Sequence, residues 1–160
     1  GKTVFTLTSW NSALYREALE LRNKELMASA GKKRLLTAPK EERKDLHLII
    51  KRQEQVIGTL LLHPISEKCV QVKQVAVDSR YQGEGLGKNL LIYAEQVARR
   101  VGFRFVFLTG REQAWGFYEK LGYQGLSQEY QEGLLRMRVY KKDLQSPLEQ
   151  FMKREMKTNG

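Results

Sequence analysis

"VAVDSRYQGEGLGKNLL", residues 75–91, holds the reading that decides the fold. The apolar run Val75-Ala76-Val77 is followed by Arg80, then by Gly83, Gly85 and Gly87, then by an amphipathic run from Leu86. Glycine costs backbone entropy, so a cluster this dense needs a geometric reason. Two phosphate-binding signatures fail on spacing. A P-loop puts four residues between its first glycine and the Gly-Lys pair, then Ser or Thr; here only Glu84, Gly85 and Leu86 separate Gly83 from Gly87, and Asn89 follows Lys88. A dinucleotide fingerprint reads GxGxxG after a first strand, whereas this chain reads GxGxG after three later ones. Two readings stay open. One is a tight turn with glycines at its bends. The other is a loop whose amides face inward as an anion nest, ahead of a helix whose positive end faces the same anion.

Outward from this stretch, strand-like and helix-like patterns alternate. Residues 3–9 (TVFTLTS) read as a first strand. Residues 9–27 read as a helix capped by Ser9 or Ser12, with Leu14, Ala18, Leu21 and Ala28 in phase. Residues 29–44 read as a loop with room for a short helical turn. Residues 46–52, 55–63 and 69–77 read as three strands joined by short turns; Val70 and Val72 alternate with Gln71 and Lys73. Residues 86–102 read as a helix with Leu90, Leu91, Ala94, Ala98 and Val101 on one side and Gly102 as its stop. A strand over 103–109, a helix over 111–122 and a final hairpin (YQGL, then GLLRMRVYKK) complete the pattern. The expected fold is a mixed α/β sheet of about six to seven strands with helices on its faces, formed by one domain over 1–143. The basic tail, 144–160, is expected to be helical or disordered. Ligands in such sheets sit beyond the C-terminal ends of strands, which is where the glycine stretch lies.

Composition narrows the function classes. The 160 residues are 41% hydrophobic and 29% charged, which suits a globular domain better than a disordered chain. No apolar run approaches the roughly 20 residues of a membrane helix, and the first residues lack the apolar core of a secretion signal. Cys69 is the only cysteine, which rules out an intrachain disulfide; with His47 and His63 it makes a poor zinc set, so no metal is expected. The expectation is a cytoplasmic protein. A net charge of +10 raises nucleic acid or another polyanion as a partner. The denser basic patches, 31–45 and 151–160, also carry acids and do not interleave aromatics with their cations, which argues against nucleic-acid binding.

With these residues in view, Arg80-Tyr-Gln-Gly83-Glu-Gly85-Leu-Gly87 resembles the acyl-CoA-binding signature of the GNAT superfamily of N-acetyltransferases, R/Q-x-x-G-x-G/A. A second block, "REQAWGFYEKLGY" (111–123), resembles that family's A-x-x-F-Y-x-K-x-G-F/Y helix. The pair is similar to a bacterial-type subgroup with YQGxGxG and R-x-x-A-x-x-FYEKLGY. The resemblance implies a GNAT-like fold and acetyl-CoA as co-substrate, with no metal. Backbone groups of Val75, Ala76 and Val77 would pair with pantetheine. Amides from Gln82, Gly83, Gly85, Leu86, Gly87 and Lys88 would hold the pyrophosphate, and Arg80 and Lys88 would add charge. Arg111 and Ala114, placed with Trp115 and Tyr118 on one helix face at i, i+3, i+4 and i+7, would complete the cofactor site. Tyr118 would stand beside the thioester sulfur as the catalytic residue, and a backbone N–H near Val75 would stabilise the oxyanion.

The chemistry implied is direct attack by a primary amine of a small molecule or protein, in a monomer or homodimer. A lysine-like amine has a pKa of ~10.4, so its neutral form costs roughly 4–5 kcal/mol at pH 7, and something must take its proton. Gln71 and Gln74 cannot. His47, His63, Glu20, Asp45, Glu129 and Glu132 all remain candidates, each with an ordinary surface or strand role as its other reading. Arg22 reads as an exposed helical arginine, or as one that faces the acceptor cleft. The alternative to an enzyme is a CoA-binding regulatory module without turnover.

Overall fold

A computed structural model describes residues 2–145 and 147–159 of the chain. Seven strands form one sheet: β1 (Thr3–Thr8), β2 (Leu46–Arg52), β3 (Gln55–Pro64), β4 (Cys69–Val77), β5 (Phe105–Arg111), β6 (Gln124–Glu132) and β7 (Leu135–Asp143). Their order is β1-β2-β3-β4-β5-β7-β6. Every neighbouring pair is antiparallel except β4 and β5, which run parallel.

Strand alternation sorts the side chains between two faces. On one face, Ala18 and Leu21 of helix α1 (Ala13–Arg22) pack on Ile49, Val56 and Ala76. On the other, Leu90, Leu91, Ala94 and Ala98 of α2 (Leu86–Val101) pack with Leu48, Ile50, Leu62, Val70, Val72 and Val106. The short helix α3 (Trp115–Lys120) joins this larger core through Trp115 and Tyr118. The last helix, α4 (Pro147–Asn159), lies in the tail.

Most expected elements form, and their ends differ for local reasons. The first helix begins at Ala13, because Ser12 accepts the Tyr15 N–H as its cap (3.1 Å) and Asn11 turns at φ 61°. After Arg22 it widens into a π-helical turn, Asn23–Met27, so Ala28 lies beyond the helix and is exposed. On α2 the buried set includes Val97, and Val101 is exposed. Gly102, at φ 110°, ends α2: its N–H reaches the Arg99 carbonyl and the Phe103 N–H reaches that of Ala98. Phe103 and Arg104 are used up in that exit, which delays β5 from the expected 103 to Phe105.

The expected helix over 111–122 needs the largest correction. β5 pairs with β7 along its whole length, to Arg111 opposite Met137. The ladder keeps Arg111 extended, a 3₁₀ turn (Glu112–Ala114) follows, and the helix starts at Trp115. Arg111 and Ala114 therefore do not share a helix face with Trp115 and Tyr118.

Candidate functional site

β4 and β5 are paired at only three positions, Cys69–Phe105, Val70–Val106 and Gln71–Phe107. Beyond Gln71 the edge of β4 that faces β5 has no partner strand through Val77, while its other edge stays paired to β3. Unpaired backbone N–H and C=O groups at that edge are what an extended amide-bearing ligand needs, as in strand addition. A bulge marks the same region. Thr59 pairs with Ala76 and Leu61 with Lys73, so β4 carries one extra residue there, and Gln74 sits at φ 58°. A positive φ is uncommon for a residue other than glycine, and bulges re-aim strands beside functional sites. Val75 and Val77 are partly exposed, whereas Ala76 turns into the α1 side of the core.

The glycine loop continues from this edge. Gly83 (φ 90°) and Gly85 (φ 77°) adopt left-handed conformations, and a Cβ built on either would meet nothing within 4 Å. Their glycines thus serve backbone shape and leave open space on the loop. Gly85 is also the N-cap of α2, where no side chain caps the helix and no acid stands in the first turn. The N–H groups of Leu86, Gly87 and Lys88 are left to an external acceptor, at the positive end of a 16-residue helix. Leu86 contributes its backbone alone, since its side chain is in the core. Gly87 faces the Phe117 ring and Val77, 3.7 and 3.9 Å from where its Cβ would be, so it joins α2, α3 and the end of β4. Lys88 and Gln82 are exposed; the Gln82 amide donates to the Val77 carbonyl at 3.4 Å. These features fit a diphosphate on the loop and an amide chain along β4.

Arg80 is less free than the sequence suggests. Its guanidinium donates to both oxygens of Asp78 (3.2 and 2.9 Å), and Lys24 from the π-turn donates to the same carboxylate at 3.2 Å. The hydrogen bonds from Arg80 and Lys24 outweigh burial and hold the Asp78 carboxyl well below its usual range. Glu25 accepts the Ser79 N–H at 2.8 Å, so the loop is tied to the π-turn that follows α1. A cavity of about 640 Å³ lies on the α1 side of this tie, with Lys24, Asp78 and Arg80 on its rim. Lys24 and Arg80 are paired there with Asp78, and Arg34 with Glu20; Lys32 also stands on the lining.

Tyr118 stands on the far side of the opening. Gly110 of β5 lets it approach: a Cβ there would lie 2.9 Å from Tyr118 Cε2. Trp115 fixes the helix by donating its indole N–H to the Gly110 carbonyl (2.7 Å), and Arg138 stacks on the indole at 4.3 Å. The Tyr118 ring meets Phe117, Tyr123 and Tyr140. Burial raises the pKa of its phenol, against a smaller opposing effect of the Arg111 charge. Arg111 is exposed at the end of β5 and Ala114 is half-buried in the turn before α3.

The base candidates scatter. Glu20 pairs with Arg34, and Glu129 with Arg136 and Arg138. Glu132 is exposed at the end of β6. His47 is buried under α1 and donates from Nε2 to the Glu42 carbonyl (2.9 Å); burial lowers its pKa. Asp45 and His63 form a pair, Oδ1 to Nδ1 at 2.8 Å. Arg22 is buried rather than exposed, held by a two-pronged bond to Glu42 at 2.8 Å on each arm, so it is part of the scaffold. Asp78, Gly110 and the bulge at Gln74 escaped the sequence reading. Asp78 had a signal, a capping residue directly after a strand; the other two depend on contacts and register. Among the described residues no group of three or more His, Cys, Asp or Glu could hold a metal, and no helix is long and apolar enough to cross a membrane.

Comparisons with known proteins bear on family and fold. The family profile described as Acetyltransferase (GNAT) family matches residues 7–123. The Bacillus subtilis protein YyaT is 31% identical over 86 residues, 54% of this chain and 57% of that one. The chain spans less than two thirds of the curated relatives it matches first, 57% and 66% of their lengths. A crystal structure from Lactobacillus plantarum, described as an N-acetyltransferase, superposes with a TM-score of 0.78 at 25% identity, over 90% of this chain and 98% of that one. A GNAT family acetyltransferase from Elizabethkingia anophelis with acetyl-CoA bound gives 0.65 at 14% identity, over 88% and 97%; that likeness speaks to fold.

Proposed function

The chain belongs to the GNAT acetyltransferase family, and from that premise we propose that it moves the acetyl group of acetyl-CoA to a primary amine by direct attack in a ternary complex. The observation that carries this reading is the half-paired β4, which leads through the glycine loop to the uncapped N-terminus of α2. Val75–Val77 would receive the pantetheine amides. The amides of Gln82, Gly83, Gly85, Leu86, Gly87 and Lys88 would hold the diphosphate, with charge from Lys88 and from Arg80, which is shared with Asp78. Arg111, from the end of β5 rather than from a helix, would lend long-range charge.

At the reacting end, an N–H near Val75 would meet charge developing on the thioester oxygen, where preorganised donors are worth most. Tyr118 would donate its O–H to the departing sulfur. Phenol is already a weaker acid than a thiol by about 1.5 units, roughly 2 kcal/mol, and burial widens that gap. Its role is therefore hydrogen bonding, with the thiolate's proton coming ultimately from the amine.

The other reading, CoA binding without turnover, draws on the polar residues of β4 beside the opening: Gln71, Lys73 and Gln74 include no carboxylate or imidazole. Thiol release from acetyl-CoA across a panel of small and peptidyl amines separates the two. Release dependent on one class of amine is expected. Acetyl-CoA binding with no release above the uncatalysed rate for any amine would leave only the binding module.

A further inference from the structure

Asp45 and His63, separate in the sequence, form a dyad in the fold. The carboxylate is almost wholly covered (5% exposed) while the imidazole is 41% exposed. Because a carboxylate only accepts, His63 donates through Nδ1–H, and its Nε2 carries the lone pair. This is how an acid orients a histidine that must accept a proton.

The register places the dyad on a line with the opening. His63 pairs with Gln71, Gln71 with Phe107, and Phe107 with Lys141. Leu62, Val70, Val72, Val106 and Leu108 all belong to the core under α2. Alternation then sends His63, Gln71 and Phe107 to the opposite face. Lys141 stands over the Phe105 and Phe107 rings at 4.3 and 5.8 Å, on that same face. Gln71–Phe107 is also the last pair before β4 and β5 part. The dyad thus stands beside the closed end of the opening, with an imidazole that is partly open to solvent.

Resting on the proposed acetyl transfer, we infer that Asp45-held His63 is the proton acceptor for the amine. From Gln71 to Val75 is four residues, about 13 Å at ~3.3 Å each, so the proton travels through water along Gln71 and Lys73 rather than by direct contact. The ammonium gives one proton through that water to Nε2, and Asp45 balances the imidazolium. The free amine attacks, the C–N bond forms and the C–S bond breaks. The proton lost from the new amide nitrogen ends on the CoA sulfur beside Tyr118, and His63 returns its proton to bulk water. The sum is ammonium plus acetyl-CoA giving amide, CoA thiol and one proton. By the same alternation the other charged or titratable groups on this face include His47 from β2, Cys69 and Lys73 from β4, Arg111 from β5, and Lys141 and Asp143 from β7, with Glu67 in the turn after β3. None of them is bonded to His63.

The test is His63→Gln, with acetyl-CoA affinity as the check on folding. With an amine the wild type acetylates, kcat should fall about 10²-fold at pH 7, acetyl-CoA affinity should hold, and the deficit should shrink as pH approaches the amine's own value near ~10.4. A variant equal to wild type at pH 7, or a deficit that does not change with pH, overturns the role. Nitrogen-15 NMR of the wild type gives an arm that needs no acceptor: neutral His63 should carry its proton on Nδ1, and a proton on Nε2 overturns the proposal. A wild type that binds acetyl-CoA but acetylates no amine refutes the transferase reading itself, and this role with it. Activity in wild type but equal activity in His63→Gln refutes this role alone.

Discussion

Tyr118 is held by its ring and, in the proposed reaction, would act by its hydroxyl, and the two can be separated. Tyr118→Phe keeps the contacts with Tyr123 and Tyr140 and removes only the donor. A lost hydrogen bond of about 1.4 kcal/mol lowers kcat on the order of tenfold, where loss of a true general acid would cost 10²–10⁴-fold. Single-turnover acetyl transfer decides between them, and acetyl-CoA affinity should barely move. Gly110→Ala tests the same site from behind. Its added methyl would stand 2.9 Å from Tyr118 Cε2, in a wall of packed aromatic rings that cannot easily yield. The ring should shift, with a stability loss of about 1–3 kcal/mol and a drop in kcat at least as large as that of Tyr118→Phe. Unchanged kinetics in Gly110→Ala would mean the ring's position does not matter. At this scale the sequence shows Tyr118, Gly83 and Gly85, because each belongs to a local pattern. Gly110 and Gln74 are invisible to it: one is defined by a neighbour in space, the other by a register shift across two strands.

Helix α1 and the long loop that returns beneath it are joined by a buried polar knot. Arg22 grips Glu42, Tyr15 donates to the same carboxylate at 2.7 Å, and His47 packs edge-on against the Tyr15 ring. Burial opposes charge on Glu42, but the bonds from Arg22 and Tyr15 prevail and hold its carboxyl below the ordinary range. Glu42→Ala should cost about 3–5 kcal/mol, since it strands the Arg22 charge, while replacing both partners with apolar residues should cost far less. Urea unfolding of the single and double variants measures this; equal costs would mean the charge is not the issue. The same knot gives a pH dependence. Glu42, depressed when folded, stabilises above its unfolded value of 4.5 and loses that contribution as pH falls. His47, kept neutral by burial, takes up a proton more readily unfolded, so stability also declines as pH drops below 6.5. The melting temperature should therefore fall between about pH 6.5 and 4, and His47→Gln should remove the upper part of that fall. Element types were legible from periodicity, because apolar phase is a local property. Where they end was less so: Arg111 belongs to a strand because β7 reaches it, and Arg22 is buried because Glu42, far along the chain, comes back to meet it.

The molecule as a whole should be steadied by the proposed co-substrate. At one hundred times its dissociation constant, CoA stabilises by about 2.7 kcal/mol, roughly 5–10 °C in melting temperature at 2–4 °C per kcal/mol for a chain of this size. ATP with magnesium should do much less, and a larger shift from ATP would refute the loop assignment. The net charge of +10 adds that CoA affinity should weaken as salt rises. The sheet with the half-paired β4 also has a mechanical character. Its strands make two leaves, β1 to β4 and β5 with β7 and β6, stitched at three residue pairs. Pulled apart by handles on Val4 and Tyr130, at the two outer strands, the protein should tear along that stitch before any other line of the sheet. A ligand lying in the gap would be a thread through both leaves, and the rupture force in an optical trap should rise when CoA is present.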